Sequence, residues 1–135
     1  MISVELKNHL LNMYLIAMSD SEFAESEMLM ILDIIEKKGI SKKEFERIII
    51  NPINIPFSIP EDTVGKIEYL FDFARIISAD GKIRKEEKIA FKDYCLKFGF
   101  EEETVIELME WLLELSKNNL SKVQLHEEIT NLIKS

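Results

Sequence analysis

Cysteine is almost absent from this chain: Cys95 stands alone among 135 residues, so no internal disulfide can staple the fold, and a reducing, cytoplasmic setting is expected. Its neighbours Phe91, Tyr94 and Phe98 mark it as a small hydrophobe in a buried helix face rather than a nucleophile. Histidine is nearly as scarce. His9 and His126 are the only two, and neither has a second histidine at metal-ligand spacing, which removes the H-E-x-x-H type of zinc enzyme. His126, followed by Glu127 and Glu128, reads as the solvated side of the last helix.

The four glycines, Gly39, Gly65, Gly81 and Gly99, stand apart from one another, so there is no glycine loop to cradle phosphate and no G-x-S-x-G nucleophile turn. Long apolar runs are missing too. The longest, such as Ile48 to Ile50 and Trp111 to Leu113, fall far short of the roughly 20 residues of a membrane span. Met1 to Asn8 already mixes Glu5 and Lys7 with apolar residues and lacks the basic start and apolar block of an export signal. Basic residues are outnumbered, 17 against 25 acidic ones, and the net charge of −8 repels phosphate backbones and excludes nucleic acid as the expected partner.

What is present is helix. Apolar content of 47% is enough for one domain spanning 1–135 with its own core. Leu6, Leu10, Met13 and Ala17, flanked by Leu11, Tyr14 and Met18, recur at three- and four-residue spacing and predict a helix over about Val4 to Met18. Met28, Ile31, Leu32 and Ile35 predict a second, stopped by Gly39, whose left-handed backbone would close it with Ile40 as the capping contact. Ser41 and Glu44 form a capping box, with Ile40 and Phe45 at the positions of a hydrophobic staple, and start a third helix that runs to about Ile50 before Asn51-Pro52.

All three prolines lie in Asn51 to Pro60. There Ile53, Ile55, Phe57 and Ile59 alternate, so an extended linker packing down on one side is expected. Pro60 suits the first turn of a fourth helix, which Ile67, Leu70, Phe71, Ala74 and Ile77 continue to near Ser78. Ile89, Phe91, Cys95 and Phe98 carry a fifth to Gly99, and Val105, Leu108, Met109, Leu112 and Leu115 a sixth. The acidic run Glu101 to Glu103 sits at its start, where the helix dipole favours negative charge. Trp111 is read as core. After the break at Lys117 to Asn119, a second capping box, Ser121 with Gln124, begins a seventh helix over about 121–134.

Placing residue n over n + 60 aligns Asp20 with Asp80, Glu27 with Glu87 and Gly39 with Gly99 without a gap. The expected fold is therefore an all-α bundle of about seven helices with an internal two-fold helix-turn-helix repeat, its halves at about 4–50 and 60–118. In each half an apolar residue expected to be buried, Phe23 or Ile83, follows three places after the aspartate.

The segment Ala79-Asp80-Gly81-Lys82-Ile83-Arg84-Lys85-Glu86-Glu87, with the apolar-periodic helix and Gly99 after it, resembles the A-D-G-x-I-x-x-x-E motif of TerB-like domains. Asp20 to Glu27, with Ser19-Asp20-Ser21 in place of Ala-Asp-Gly, resembles a degenerate first copy. The resemblance implies an all-helical bacterial domain linked to tellurite resistance and stress, a non-enzymatic interaction module with a protein partner. It also implies a divalent-cation site built from Asp20, Glu27, Asp80 and Glu87.

The residues themselves offer two readings of that turn. Asp80-Gly81 is a turn signal, and Glu87 in the next helical turn can reach back to free backbone amides, which needs no ligand. Alternatively, Asp80 and Glu87 occupy the fifth and twelfth positions of an EF-hand-like loop. Its first and third positions would be Ile76 and Ser78, so the leading carboxylates are missing. Two other functions stay open beside the interaction module: a metal-dependent enzyme using the turn carboxylates, and a homo-oligomer that buries Trp111 or the Ile53 to Ile59 stretch.

Overall fold

A computed structural model describes residues 2–19, 25–52, 55–118 and 120–134. Among them are seven helices and no strand: α1 Val4–Ala17, α2 Glu25–Lys37, α3 Lys42–Ile50, α4 Thr63–Ile77, α5 Lys85–Lys97, α6 Glu102–Leu115 and α7 Lys122–Lys134.

α4 is the axis of the bundle. Ile67, Leu70, Phe71, Phe73, Ala74, Ile76 and Ile77 are buried along it, and its one polar stripe is Glu68, Asp72 and Arg75, four and then three residues apart. It is packed against α1, α2, α5, α6 and α7, while α3 closes on α1 and α2 and α5 on α6 and α1. The buried side chains form one cluster to which every helix contributes, α7 through Ile129 alone.

The helix ends are written in local chemistry. Ser41 and Glu44 make the reciprocal capping box, with Glu44 N–H donating to Ser41 Oγ at 3.2 Å and Ser41 N–H to Glu44 Oε1 at 3.1 Å. Ser121 and Gln124 repeat it at α7. α2 and α5 stop alike: the N–H of Gly39 or Gly99 bonds back to Glu36 or Leu96, and the N–H of Ile40 or Phe100 to Ile35 or Cys95, a closure that requires the left-handed glycine between them. α2 and α5 also lie at the same offset at both ends, 25 to 85 and 37 to 97; α3 and α6 start at 42 and 102.

Four expectations are corrected. Pro60 is not in the first turn of α4; it is buried before the helix, which begins at Thr63 after Asp62. The first turn instead carries Gly65, where a Cβ would come within 2.8 Å of the Pro60 ring. Ile89 is 53% exposed rather than core, because Phe91 and Cys95 set the inward face of α5. Ile83 is only partly buried. In the linker, Ile55 and Ile59 pack on the core but Phe57 is half-exposed, touching Phe98 edge-on at 6.3 Å. Phe23 and Ile53 lie outside the described residues. Cys95 is fully buried, its thiol pushed up to about 12 by burial, and Trp111 packs against the core from a partly buried position.

Candidate functional site

The four acidic residues picked out by the 60-residue overlay meet different fates. Asp20 lies outside the described residues. Asp80 forms the turn: its Oδ1 accepts the Lys82 N–H at 3.0 Å, beside Gly81 at φ +79°. Its other oxygen pairs with Arg84 Nη1 at 3.1 Å. The Lys82 amide, helped by the Arg84 guanidinium, holds the Asp80 carboxyl below the usual range against the opposing effect of burial. Glu87 reaches back from the first turn of α5 to accept the Arg84 N–H at 3.3 Å, the role expected of it.

Glu27 and Glu87, sixty residues apart, come together. Both are completely buried, one at the start of α2 and the other at the start of α5, and their carboxyl groups hydrogen-bond to each other. Two carboxylates cannot donate, so the pair holds a proton. Burial first, then the hydrogen bond and the charge of Glu27, push Glu87 up to about 8, while the Arg84 amide and guanidinium pull the other way. The proton belongs to the pair rather than to either residue. Arg84 Nη1 stands 3.7 Å from Glu87 Oε1 and so joins Asp80 to the dyad.

As a cation site this is a poor donor set. A hard divalent ion takes six or more oxygens. The described residues bring only two carboxyls together, with a guanidinium already beside them and Asp80 committed to it. Among the described residues no three His, Cys, Asp or Glu side chains are grouped to hold a metal ion. Among the described residues the carboxyls brought together fall short of that donor set, and Asp20, the fourth residue of the expected site, lies outside them. Asp80, Glu27 and Glu87 line neither of the two main clefts.

A second polar cluster escaped the sequence reading. His9, 1% exposed, sits on α1 with its ring stacked on Tyr69 at 3.7 Å. Its Nε2 meets Asp72 Oδ2 at 2.8 Å, and Lys38 Nζ pairs with the same oxygen at 3.2 Å. Tyr69 donates its hydroxyl to Glu5 at 3.0 Å. Nearby, Asn8 Oδ1 accepts from Asn12 Nδ2 and from the Ser58 N–H, which ties the linker to α1, and Tyr94 donates to Asn12. Burial lowers His9, outweighing the hydrogen bond it donates to Asp72, so the ring is neutral near pH 7. Burial acts to raise Asp72, but the His9 hydrogen bond and the Lys38 charge outweigh it and leave the carboxyl below its usual range. The signal that could have found this cluster is Asp72 itself, a charge flanked on both sides by apolar pairs in Leu70-Phe71-Asp72-Phe73-Ala74. A carboxylate there must have a buried partner.

No protein-family model, no curated protein and no solved structure matches the chain. The class that the fold defines is an all-α helical bundle, and among the described residues no helix is long and apolar enough to cross a membrane.

Proposed function

We propose that this chain is a divergent, non-enzymatic TerB-like domain: a cytoplasmic helical module that binds a protein partner in bacterial tellurite resistance or a related stress response. One observation carries the reading. Glu27 and Glu87, equivalent under the 60-residue overlay, meet in the interior where α2 and α5 begin, and α2 and α5 keep that same offset at both ends. Two copies of one turn-and-helix unit, folded face to face about their motif glutamates, would produce this pairing. The buried ionisable groups, His9 and Asp72 as well as the glutamates, are engaged with one another and hold helices together.

In this reading the glutamate pair is a latch that fixes the two halves, and the outer helix faces are what a partner meets. Removing the gene from its host should lower the tellurite concentration that stops growth, and restoring the wild-type chain should recover it. Unchanged tolerance in the deleted strain would count against the stress assignment. Calorimetric titration of the purified chain with calcium, magnesium and zinc should give no saturable heat up to millimolar metal; a stoichiometric signal lost in Glu27→Gln would restore the cation site.

A further inference from the structure

The surface of this acidic molecule is interrupted by a cleft of about 220 Å³ where the end of α2, the middle of α4 and the start of α7 converge. Its walls gather four cations, Lys37, Lys38, Arg75 and Lys122, and its floor is Ile34, Phe71, Leu120 and Leu125. The local acids do not balance them. Asp33 alone faces two cations, Lys37 at 3.1 Å and Arg75 at 3.0 Å. Asp72 is taken by Lys38, and its other partner, His9, is neutral. Glu68 is the remaining acid of the lining and stands 3.4 Å from His126 on the exposed side of α7. Lys37, Lys38, Arg75 and Lys122 set against Asp33, Asp72 and Glu68 leave one positive charge in excess, on a chain whose net charge is −8.

Two further features act in the same direction. Lys122 opens α7, whose first turn carries no acidic residue, so no carboxylate of that turn competes for its charge. The apolar floor excludes water from one side of the cleft, which strengthens attraction for an anion placed against the cations. Drug-sized sites occupy roughly 300–1,000 Å³, so this one takes something smaller.

From this geometry we infer that the α2–α4–α7 cleft binds a small organic monoanion, a carboxylate carrying a short apolar chain. The carboxylate lies among Lys122, Arg75 and Lys38 and the chain lies on Phe71 and Leu125. The recognition is independent of the TerB-like resemblance and of the glutamate pair.

The test is an NMR titration of the full chain with hexanoate, followed through backbone amide shifts, with hexylammonium and hexanol as matched probes at constant ionic strength. Hexanoate should give saturable shifts centred on Ile34, Phe71, Lys122 and Leu125, and the other two probes should not. Lys122 is exposed at the surface, so Lys122→Glu keeps the fold and should weaken hexanoate binding by at least about tenfold, one unit of charge having become its opposite. The inference falls if hexanoate gives no saturable shift up to about 10 mM, if hexylammonium shifts the same amides, or if Lys122→Glu binds as tightly as the wild type. A peptide with a free C-terminal carboxylate that binds where hexanoate does not would overturn it in favour of a protein partner.

Discussion

Glu87 illustrates how one residue type carries opposite costs at different depths. On the surface a first-turn glutamate is a cap. Here it caps Arg84 and is also set against Glu27 in the interior. The sign of the pH effect follows from the raised value. Because the folded protein holds the proton up to about pH 8 and the unfolded chain releases it near 4.5, this stabilisation is complete below pH 4.5 and is lost as pH rises to about 8. Glu87→Gln mimics the protonated form, and its chemical-denaturation midpoint should hardly change between pH 6 and pH 9, while the wild type loses stability over that range. His9 acts at the other end. Its lowered value means that the unfolded chain gains a proton below pH 6.5 before the folded one does, so stability falls as the solution is acidified from 6.5. At Asp72 the concern is the partner left behind. Asp72→Ala strips Lys38 and buried His9 of their shared acceptor, and about 3 kcal/mol should be lost in urea unfolding at pH 7.

Among the elements, α4 and the glycine-closed ends of α2 and α5 bear most of the structural demand. Phe73 on α4 is fully buried with ring contacts to His9 at 5.2 Å, Tyr94 at 4.9 Å and Phe98 at 6.2 Å, so α1 and the C-terminal end of α5 both lean on one side chain. Phe73→Ala should cost roughly 3–5 kcal/mol by thermal or chemical unfolding, as expected for emptying a close-packed aromatic site. Gly99 has φ of +97° and no neighbour closer than Lys66 Nζ at 3.8 Å. Space is therefore not the issue; backbone conformation is. Gly99→Val should destabilise by more than about 1 kcal/mol because a β-branched residue is strained at positive φ. Denaturation identical to wild type would refute that cap.

For the molecule as a whole, the two titrations bracket a stability optimum. Asp72, Asp33 and Asp80 are all held below their usual values and keep their contribution down to about pH 3.8. His9 erodes stability below 6.5 and the glutamate pair erodes it on the way up to about 8. The melting temperature plotted against pH should thus peak in mildly acidic solution, and a maximum above pH 8 would contradict the protonated pair.

Periodicity and punctuation were sufficient to specify the helices of this protein. The capping boxes at Ser41 and Ser121 and the glycine stops at 39 and 99 act through atoms within about one helical turn, so they are legible in any window of sequence. The overlay at 60 residues likewise singled out Glu27 and Glu87. Contact between them was not legible, because it depends on how α2 and α5 are brought side by side. Pro60 and Ile89 were misjudged for the same reason: a turn signal or an apolar residue does not state which side its neighbours occupy. His9 and Asp72 are 63 positions apart, and so are beyond any local pattern. Burial and charge pairing are properties of assembled surfaces, and here only the tertiary structure, by enclosing α4, turned scattered acids, a histidine and a lysine into a proton-sharing pair and a buried ionic cluster.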